Sequence, residues 1–197
     1  MKKAAAILLA ISVLFLVGCN DSDGDVKKPK ETAVSVTSGD CFEINKLKGE
    51  DGNEKFSYTV KTHDGTVIES AVCANEPKVK PLNDDLLGVR FYTATDSFVR
   101  YYDIKGGRVS ASYFGAFWDN GELLAYNDFE ASGKLIVRDI FDDSGYRYEK
   151  EITSDAMELI VTKAEPTDDG ETLVVKFKLG DHGAEKNVRL PLVDKNS

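Results

Sequence analysis

Short alternating segments separated by turn signals limit most strongly how this chain can fold. Across residues 40–193 apolar and polar residues alternate repeatedly, as where Phe56, Tyr58 and Val60 are separated by single polar residues. A period of two places successive side chains on opposite faces of a β-strand. The longer period of an amphipathic helix is not sustained in any segment. The pattern therefore predicts an all-β fold.

Glycine-ending dipeptides punctuate these segments. They occur at Asp51-Gly52, Asp64-Gly65, Gly106-Gly107, Asn120-Gly121, Ser132-Gly133, Ser144-Gly145 and Asp169-Gly170. Glycine tolerates the positive φ that tight hairpin turns need. We therefore predict an antiparallel meander of about ten short strands that closes as a sandwich or a barrel. Residues 99–104 and 135–140 each place an arginine ahead of Asp-Ile, which leaves a small or partial β-propeller-like assembly as the alternative.

The first eighteen residues have the three parts of a secretory signal. Lys2 and Lys3 precede an apolar run over residues 4–17, and small or apolar residues precede the expected cleavage site. The run is shorter than the roughly 20 apolar residues that a membrane-spanning helix needs. Residues 1–18 are therefore predicted to be a cleaved signal peptide.

The end of that run, Leu16-Val17-Gly18-Cys19, resembles the lipobox of bacterial lipoproteins. The resemblance implies that Cys19 carries a thioether-linked diacylglycerol, becomes the first residue after cleavage and is acylated at its amino group. Two or more acyl chains anchor a protein stably in a membrane. Asn20, rather than Asp, follows the cysteine, and by the sorting rule of many Gram-negative lipoproteins the resemblance then implies the periplasmic side of the outer membrane rather than the inner membrane. The resemblance covers residues 1–19 only, and the body is assigned to no characterised family.

The composition predicts a tether between this anchor and the body. Residues 19–39 are mostly polar and carry few apolar side chains, so they are expected to form a flexible tether ahead of a single all-β domain at residues 40–197. If Cys19 is acylated, Cys41 and Cys73 remain as an even pair in an oxidising compartment. A Cys41–Cys73 disulfide is then expected.

The net charge and the absence of known catalytic motifs in the sequence limit the classes of function that can be expected. Loss of residues 1–18 removes two lysines and no acidic residue, which changes the formal charge from −9 to −11. A protein this acidic has no general attraction for nucleic acid. The sequence contains no cofactor or metal motif, and His63 and His182 lie in turns where exposure is expected. We predict no catalytic residue, no cofactor and no enzymatic activity.

Four aromatic residues fall within six positions in residues 113–118, which include the only tryptophan. Tyr113, Phe117 and Trp118 form the candidate binding patch, because Tyr and Trp anchor many protein and sugar contacts. We therefore expect a lipid-anchored envelope domain with a non-enzymatic binding role toward a protein or a glycan. An inhibitor or immunity protein against an envelope-acting toxin or hydrolase is the alternative, and a carboxylate-dependent hydrolase is a third possibility.

The anchor prediction is testable by mass spectrometry. Protein extracted from membranes should lack residues 1–18 and carry acyl chains on Cys19, because cleavage in this class follows lipidation of the cysteine. An N-terminal peptide that still contains Met1 would contradict the prediction.

Overall fold

The computed structural model describes residues 32–48, 52–128, 133–152 and 158–193. The predicted signal peptide and Cys19 lie outside these ranges. Within them the chain consists of sixteen strands joined by turns and loops, which confirms the all-β prediction. Nothing helical in these ranges has the length and apolar character that a bilayer crossing requires. The strands outnumber the ten or so expected, because several are only two to four residues long and show no alternation that could be read from sequence.

The first sheet spans residues 32–73. Its strands lie in chain order: β1 (Thr32–Gly39), β2 (Phe42–Lys48), β3 (Glu54–Lys61) and β4 (Val67–Cys73). Residues 19–31 of the predicted tether lie outside the described residues, and its last eight residues, Thr32–Gly39, form β1 and pair with β2. The side chains of residues 35–39 are exposed. Backbone hydrogen bonds hold an edge strand of this kind, so it needs no apolar stripe.

Three further sheets follow along the chain. The second contains β5 (Lys78–Asn83), β6 (Leu86–Tyr92), β7 (Ser97–Asp103), β8 (Arg108–Val109) and β9 (Tyr113–Phe114), and both β8 and β9 pair with β7. The third contains β10 (Ala116–Asp119), β11 (Leu123–Asp128), β12 (Lys134–Asp139) and β13 (Arg147–Glu151). The fourth contains β14 (Leu159–Pro166), β15 (Thr172–Leu179) and β16 (Lys186–Pro191).

The turn predictions are confirmed. The glycines of all seven predicted turns lie between consecutive strands and have a positive φ, for example 88° at Gly65 and 94° at Gly121. Asp51 and Ser132, which precede two of them, lie outside the described residues. All described strand pairs are antiparallel. The antiparallel meander expected from the sequence is therefore present, divided into four sheets.

The four sheets pack face to face in chain order. Val60 of the first sheet and Val89 of the second belong to one apolar core. Tyr101 of the second and Leu124 of the third belong to the next core, and Val137 of the third packs with the fourth sheet in the last. Fully burying such a side chain stabilises the fold by about 1.5–3 kcal/mol. Each neighbouring pair of sheets is thus sandwich-like, and none of the apolar cores formed by the described residues joins the first sheet to the fourth.

The two segments that share the Asp-Ile pattern occupy equivalent places. They form β7 and β12, each the third strand of its sheet along the chain. Asp103 accepts a hydrogen bond from the backbone N–H of Gly106 at 2.6 Å, and Asp139 accepts one from that of Ser144 at 2.8 Å. Burial works to raise the pKa of both carboxyl groups, but such hydrogen bonds outweigh it and hold each pKa below its usual value. In both segments the aspartate of the Asp-Ile pattern therefore accepts backbone hydrogen bonds from the turn that ends its strand.

The expected Cys41–Cys73 disulfide is not formed in the structure, where both cysteines are free thiols. The N–H of Lys61 donates to the carbonyl of Cys41 at one end of β3, whereas Cys73 lies opposite Phe56. The two positions on β3 are five residues apart, which corresponds to about 16 Å. A disulfide requires Cα atoms within about 7 Å, so this register separates the two thiols too widely.

A partly buried carboxylate joins the first two sheets. Glu69 on β4 accepts hydrogen bonds from the hydroxyl of Tyr58 at 2.8 Å and from that of Tyr102 at 2.7 Å. Arg100 on β7 donates to the same carboxylate at 2.7 Å. Burial, together with Glu69, raises the pKa of Tyr58 to about 12, so this hydroxyl remains a donor at neutral pH. One side chain of the first sheet is thus held by two from the second.

Replacing this carboxylate should destabilise the fold. Glu69→Ala leaves three donors without their acceptor in the contact between sheets, and we expect the free energy of unfolding to fall by about 3 kcal/mol. Urea denaturation of the variant and the parent protein measures the change.

A matched control is available on the exposed side of the same sheet. Glu54 pairs with Lys46 at 2.6 Å, but its side chain is 55% exposed. Glu54→Ala should cost less than about 1 kcal/mol. Equal losses for Glu54→Ala and Glu69→Ala would contradict the role given to Glu69.

Candidate functional site

The predicted aromatic patch is divided by the structure. Tyr113 is 5% exposed and packs in the core between the second and third sheets. Its hydroxyl donates to the carbonyl of Ile140 at 2.7 Å. Phe117 and Trp118 are half-buried and line a cleft. Tyr113 therefore serves the core, and only Phe117 and Trp118 remain candidates for binding.

Two local irregularities produce this division. Gly115 has a φ of 60° and stands between β9 in the second sheet and β10 in the third. Only glycine adopts this backbone conformation readily. The register between β10 and β11 then shifts between Ala116 and Trp118. A bulge of this kind breaks the alternation of faces, so the neighbouring side chains of Phe117 and Trp118 can both line the cleft.

The cleft lies between the second and third sheets and encloses about 330 Å³. Alternate residues of β5 and β6 form one wall, and β10 contributes Phe117, Trp118 and Asp119. Gly88 lies in the β6 wall, where a Cβ atom would be 3.4 Å from the ring of Tyr101. The missing side chain leaves room that a larger residue would fill. The volume is in the usual range for small-ligand sites.

Basic side chains dominate the charge of the cleft. Lys78, Lys80 and Arg90 line it together with one carboxylate, that of Asp119. The ammonium of Lys80 is 3.3 Å from the Asp119 carboxylate, and the Lys80 side chain is 69% exposed. Arg90 donates to the carbonyl of Ala116 at 3.0 Å, so its guanidinium is held in place. The cleft is thus cationic on a chain whose formal charge is −9.

Polar and aromatic groups complete the lining. The hydroxyl of Tyr101 donates to Asp119 at 3.3 Å. Burial, and then the charge of Asp119, raises the pKa of Tyr101, so this phenol stays protonated. The ammonium of Lys78 lies 5.6 Å from the ring centre of Tyr92, a distance at which a cation and an aromatic face attract. This lining suits an anion that also presents an apolar face.

A second cavity, of about 510 Å³, brings carboxylates together at one end of the third sheet. It is lined by Glu122, Asp139 and Asp143 among others. Asp143 is paired with Arg108 at 2.9 Å, and the pKa of Asp139 is lowered as described above. A general acid at neutral pH needs a raised pKa, whereas hydrogen bonds from its turn hold the pKa of Asp139 below its usual value. Asp139 therefore acts as a hydrogen-bond acceptor for its turn.

Sequence reasoning found the aromatic pair and missed the cations of the cleft. Lys78 and Lys80 alternate along β5, which places them on one face, but no local pattern connects that face to Trp118. His63 is a second omission. It lies in a turn, as expected, yet it contacts Cys41 and Asp85, which are each 22 residues away. No three His, Cys, Asp or Glu side chains of the described residues are arranged to hold a metal ion.

Comparison with known proteins assigns no family. No family model matches the chain, and no curated protein matches it. Among solved structures, the uncharacterised protein lmo1340 from Listeria monocytogenes EGD-e is similar at 15% sequence identity with a TM-score of 0.35. The match covers 80% of this chain and 53% of that protein, so the chain spans about half the length of that protein.

The division of the aromatic patch can be tested through stability. Tyr113→Phe removes a buried hydroxyl and leaves the carbonyl of Ile140 without that donor, which should lower the free energy of unfolding by about 1–2 kcal/mol. Tyr92→Phe, at a residue that is 37% exposed, should change it by less than about 0.5 kcal/mol. Chemical denaturation measures both, and an unchanged stability for Tyr113→Phe would contradict the core assignment.

Proposed function

We propose that this protein is a lipid-anchored domain of the bacterial cell envelope that binds an acidic glycan and does not transform it. Cys19 would hold it in the membrane, with the periplasmic side of the outer membrane as the expected location. The observation that carries the binding role is the cleft, in which three cations and a pair of aromatic rings surround one carboxylate.

The charge of the cleft supports an acidic ligand. An acidic protein repels anions in general, so a local excess of Lys and Arg in a concave site is a specific attraction. Arg90 is positioned by hydrogen bonds to Ala116 and Ser97, at 3.0 and 3.2 Å, which reduces the entropy lost when it binds a ligand. Lys80 is exposed and can move from Asp119 to an incoming carboxylate or phosphate.

The aromatic rings and Asp119 support a sugar as the carrier of that acid. Aromatic faces pack against the apolar faces of sugar rings. Phe117 and Trp118 pack in part against the core of the third and fourth sheets, and the surface that they present to the cleft would make this contact. Asp119 accepts a hydrogen bond from Tyr101 at 3.3 Å and has a second oxygen that faces Lys80. A carboxylate so placed can accept from a sugar hydroxyl. The cavity of about 330 Å³ corresponds to a short glycan segment.

Trp118 provides the readout for a test, because it is the only tryptophan and lies in the cleft. Short oligomers of galacturonic acid serve as the acidic probe, and neutral maltose oligomers of equal length serve as the control. The acidic probe should change the tryptophan fluorescence with saturation, and the affinity should weaken as salt is added. A response that is equal for both probes, or absent for both, would contradict the proposal.

Two lysine variants locate the site. Lys80→Ala removes a cation of the cleft and should weaken binding of the acidic probe about fivefold to tenfold, which corresponds to roughly 1 kcal/mol. Lys163→Ala is the matched control, because Lys163 is also an exposed lysine in an ion pair, with Glu165 at 2.6 Å on the fourth sheet. Lys163→Ala should leave the affinity unchanged. Calorimetric titration of both variants decides whether the loss belongs to the cleft.

A further inference from the structure

Three side chains that the proposed function does not use form a continuous hydrogen-bonded series. The sulfur of Cys41 is 3.6 Å from Nδ1 of His63. On the other side of the same ring, Nε2 is 3.2 Å from a carboxylate oxygen of Asp85. A thiol, an imidazole and a carboxylate in this order have the arrangement of an activated cysteine nucleophile, in which the base is oriented by a third group.

The backbone fixes the positions of these groups. Cys41 precedes β2, and its carbonyl accepts a hydrogen bond from Lys61 at the end of β3. The N–H of His63 donates to the carbonyl of Ile104 at 3.1 Å, and the N–H of Ile104 donates to the carbonyl of Asp85 at 2.9 Å. The turn of His63 and the turn of Asp85 are therefore both hydrogen-bonded to Ile104. This shared partner fixes the distance between His63 and Asp85 where the first sheet packs against the second.

We propose that Cys41 is a reactive thiol that exchanges with small disulfides, with His63 as its base and Asp85 as the positioning residue. The thiol gives its proton to Nδ1 of His63. The resulting thiolate attacks one sulfur of the disulfide, a new sulfur–sulfur bond forms and the old one breaks. The departing thiolate takes the proton back from the imidazolium. One thiol is consumed and one is released, so the small disulfide is the only co-reactant.

Burial limits the size of the partner. Cys41 is 5% exposed, whereas the side chain of His63 is 50% exposed and lies next to the thiol. Beside this half-exposed ring a small disulfide can reach the sulfur, but a folded protein or a polymer cannot. The inference is independent of the glycan-binding proposal, because none of these three residues lines that cleft.

Cys73 provides an internal control in the same sheet. Its sulfur contacts the backbone carbonyl of Asn75 at 3.1 Å and that of Phe56 at 3.5 Å. Burial raises the pKa of the Cys73 thiol. A backbone carbonyl cannot take the proton of a thiol. Cys73 should therefore react more slowly than Cys41, although Cys73 is the more exposed of the two.

The test uses cystamine on the reduced, membrane-extracted protein and follows each cysteine by peptide mass. Cys41 should form the mixed disulfide about tenfold faster than Cys73. His63→Gln should lower the rate at Cys41 to that of Cys73 and leave Cys73 unchanged. Asp85→Ala should lower the Cys41 rate, and Asp85→Asn, which keeps an acceptor for the imidazole, should restore part of it.

Two controls keep the outcome decisive. The unfolding midpoint of each variant shows whether that variant is folded. Cys41→Ser, which leaves His63 and Asp85 in place, should abolish the fast reaction with cystamine. The proposal is overturned if Cys41 reacts no faster than Cys73, if His63→Gln leaves the Cys41 rate unchanged, or if Cys41 reacts only at the rate of global unfolding.

Discussion

The contact of Glu69 with three donors is the interaction on which the arrangement of the first two sheets depends. Apolar packing attracts the two sheets but is compatible with several alignments, whereas this partly buried carboxylate has all its donors only where Tyr58, Tyr102 and Arg100 converge. That alignment also brings the turn of His63 to Asp85. The second and third sheets meet through a mainly apolar core, and the cleft lies at the border of that core. One carboxylate thus fixes a geometry that extends beyond its own neighbours.

Much of the fold could be predicted from sequence because its signals are local. The alternation in β3 and β15 and the turn at Gly65 need only neighbouring residues to be recognised. The strand at residues 32–39 was missed because an edge strand is held by backbone groups that every sequence possesses. The absence of a Cys41–Cys73 disulfide could not be predicted from sequence, for a different reason. Spacing along the chain does not reveal the register of β2, β3 and β4, and the register decides which side chains meet.

In the candidate site, too, the features with a local sequence signal could be predicted and those that depend on sheet packing could not. A cluster of aromatic residues is visible in a short window of sequence, and Phe117 and Trp118 do line the cleft. The position of Tyr113 in the core depends on the change of sheet at Gly115, which alternation alone does not predict. The cations come from strands that precede Trp118 by about 30 to 40 residues. The series of Cys41, His63 and Asp85 likewise joins three turns and strand ends, so only the packing of sheets assembles it.

The stacking of sheets in chain order has a consequence for how the protein acquires its structure. Each sheet is made from one uninterrupted stretch of chain, and each apolar core joins consecutive stretches. Because its strands all come from residues 32–73, the first sheet is complete without any later part of the chain. Each sheet offers an apolar face to the next one along the chain, so the structure can be assembled one layer at a time.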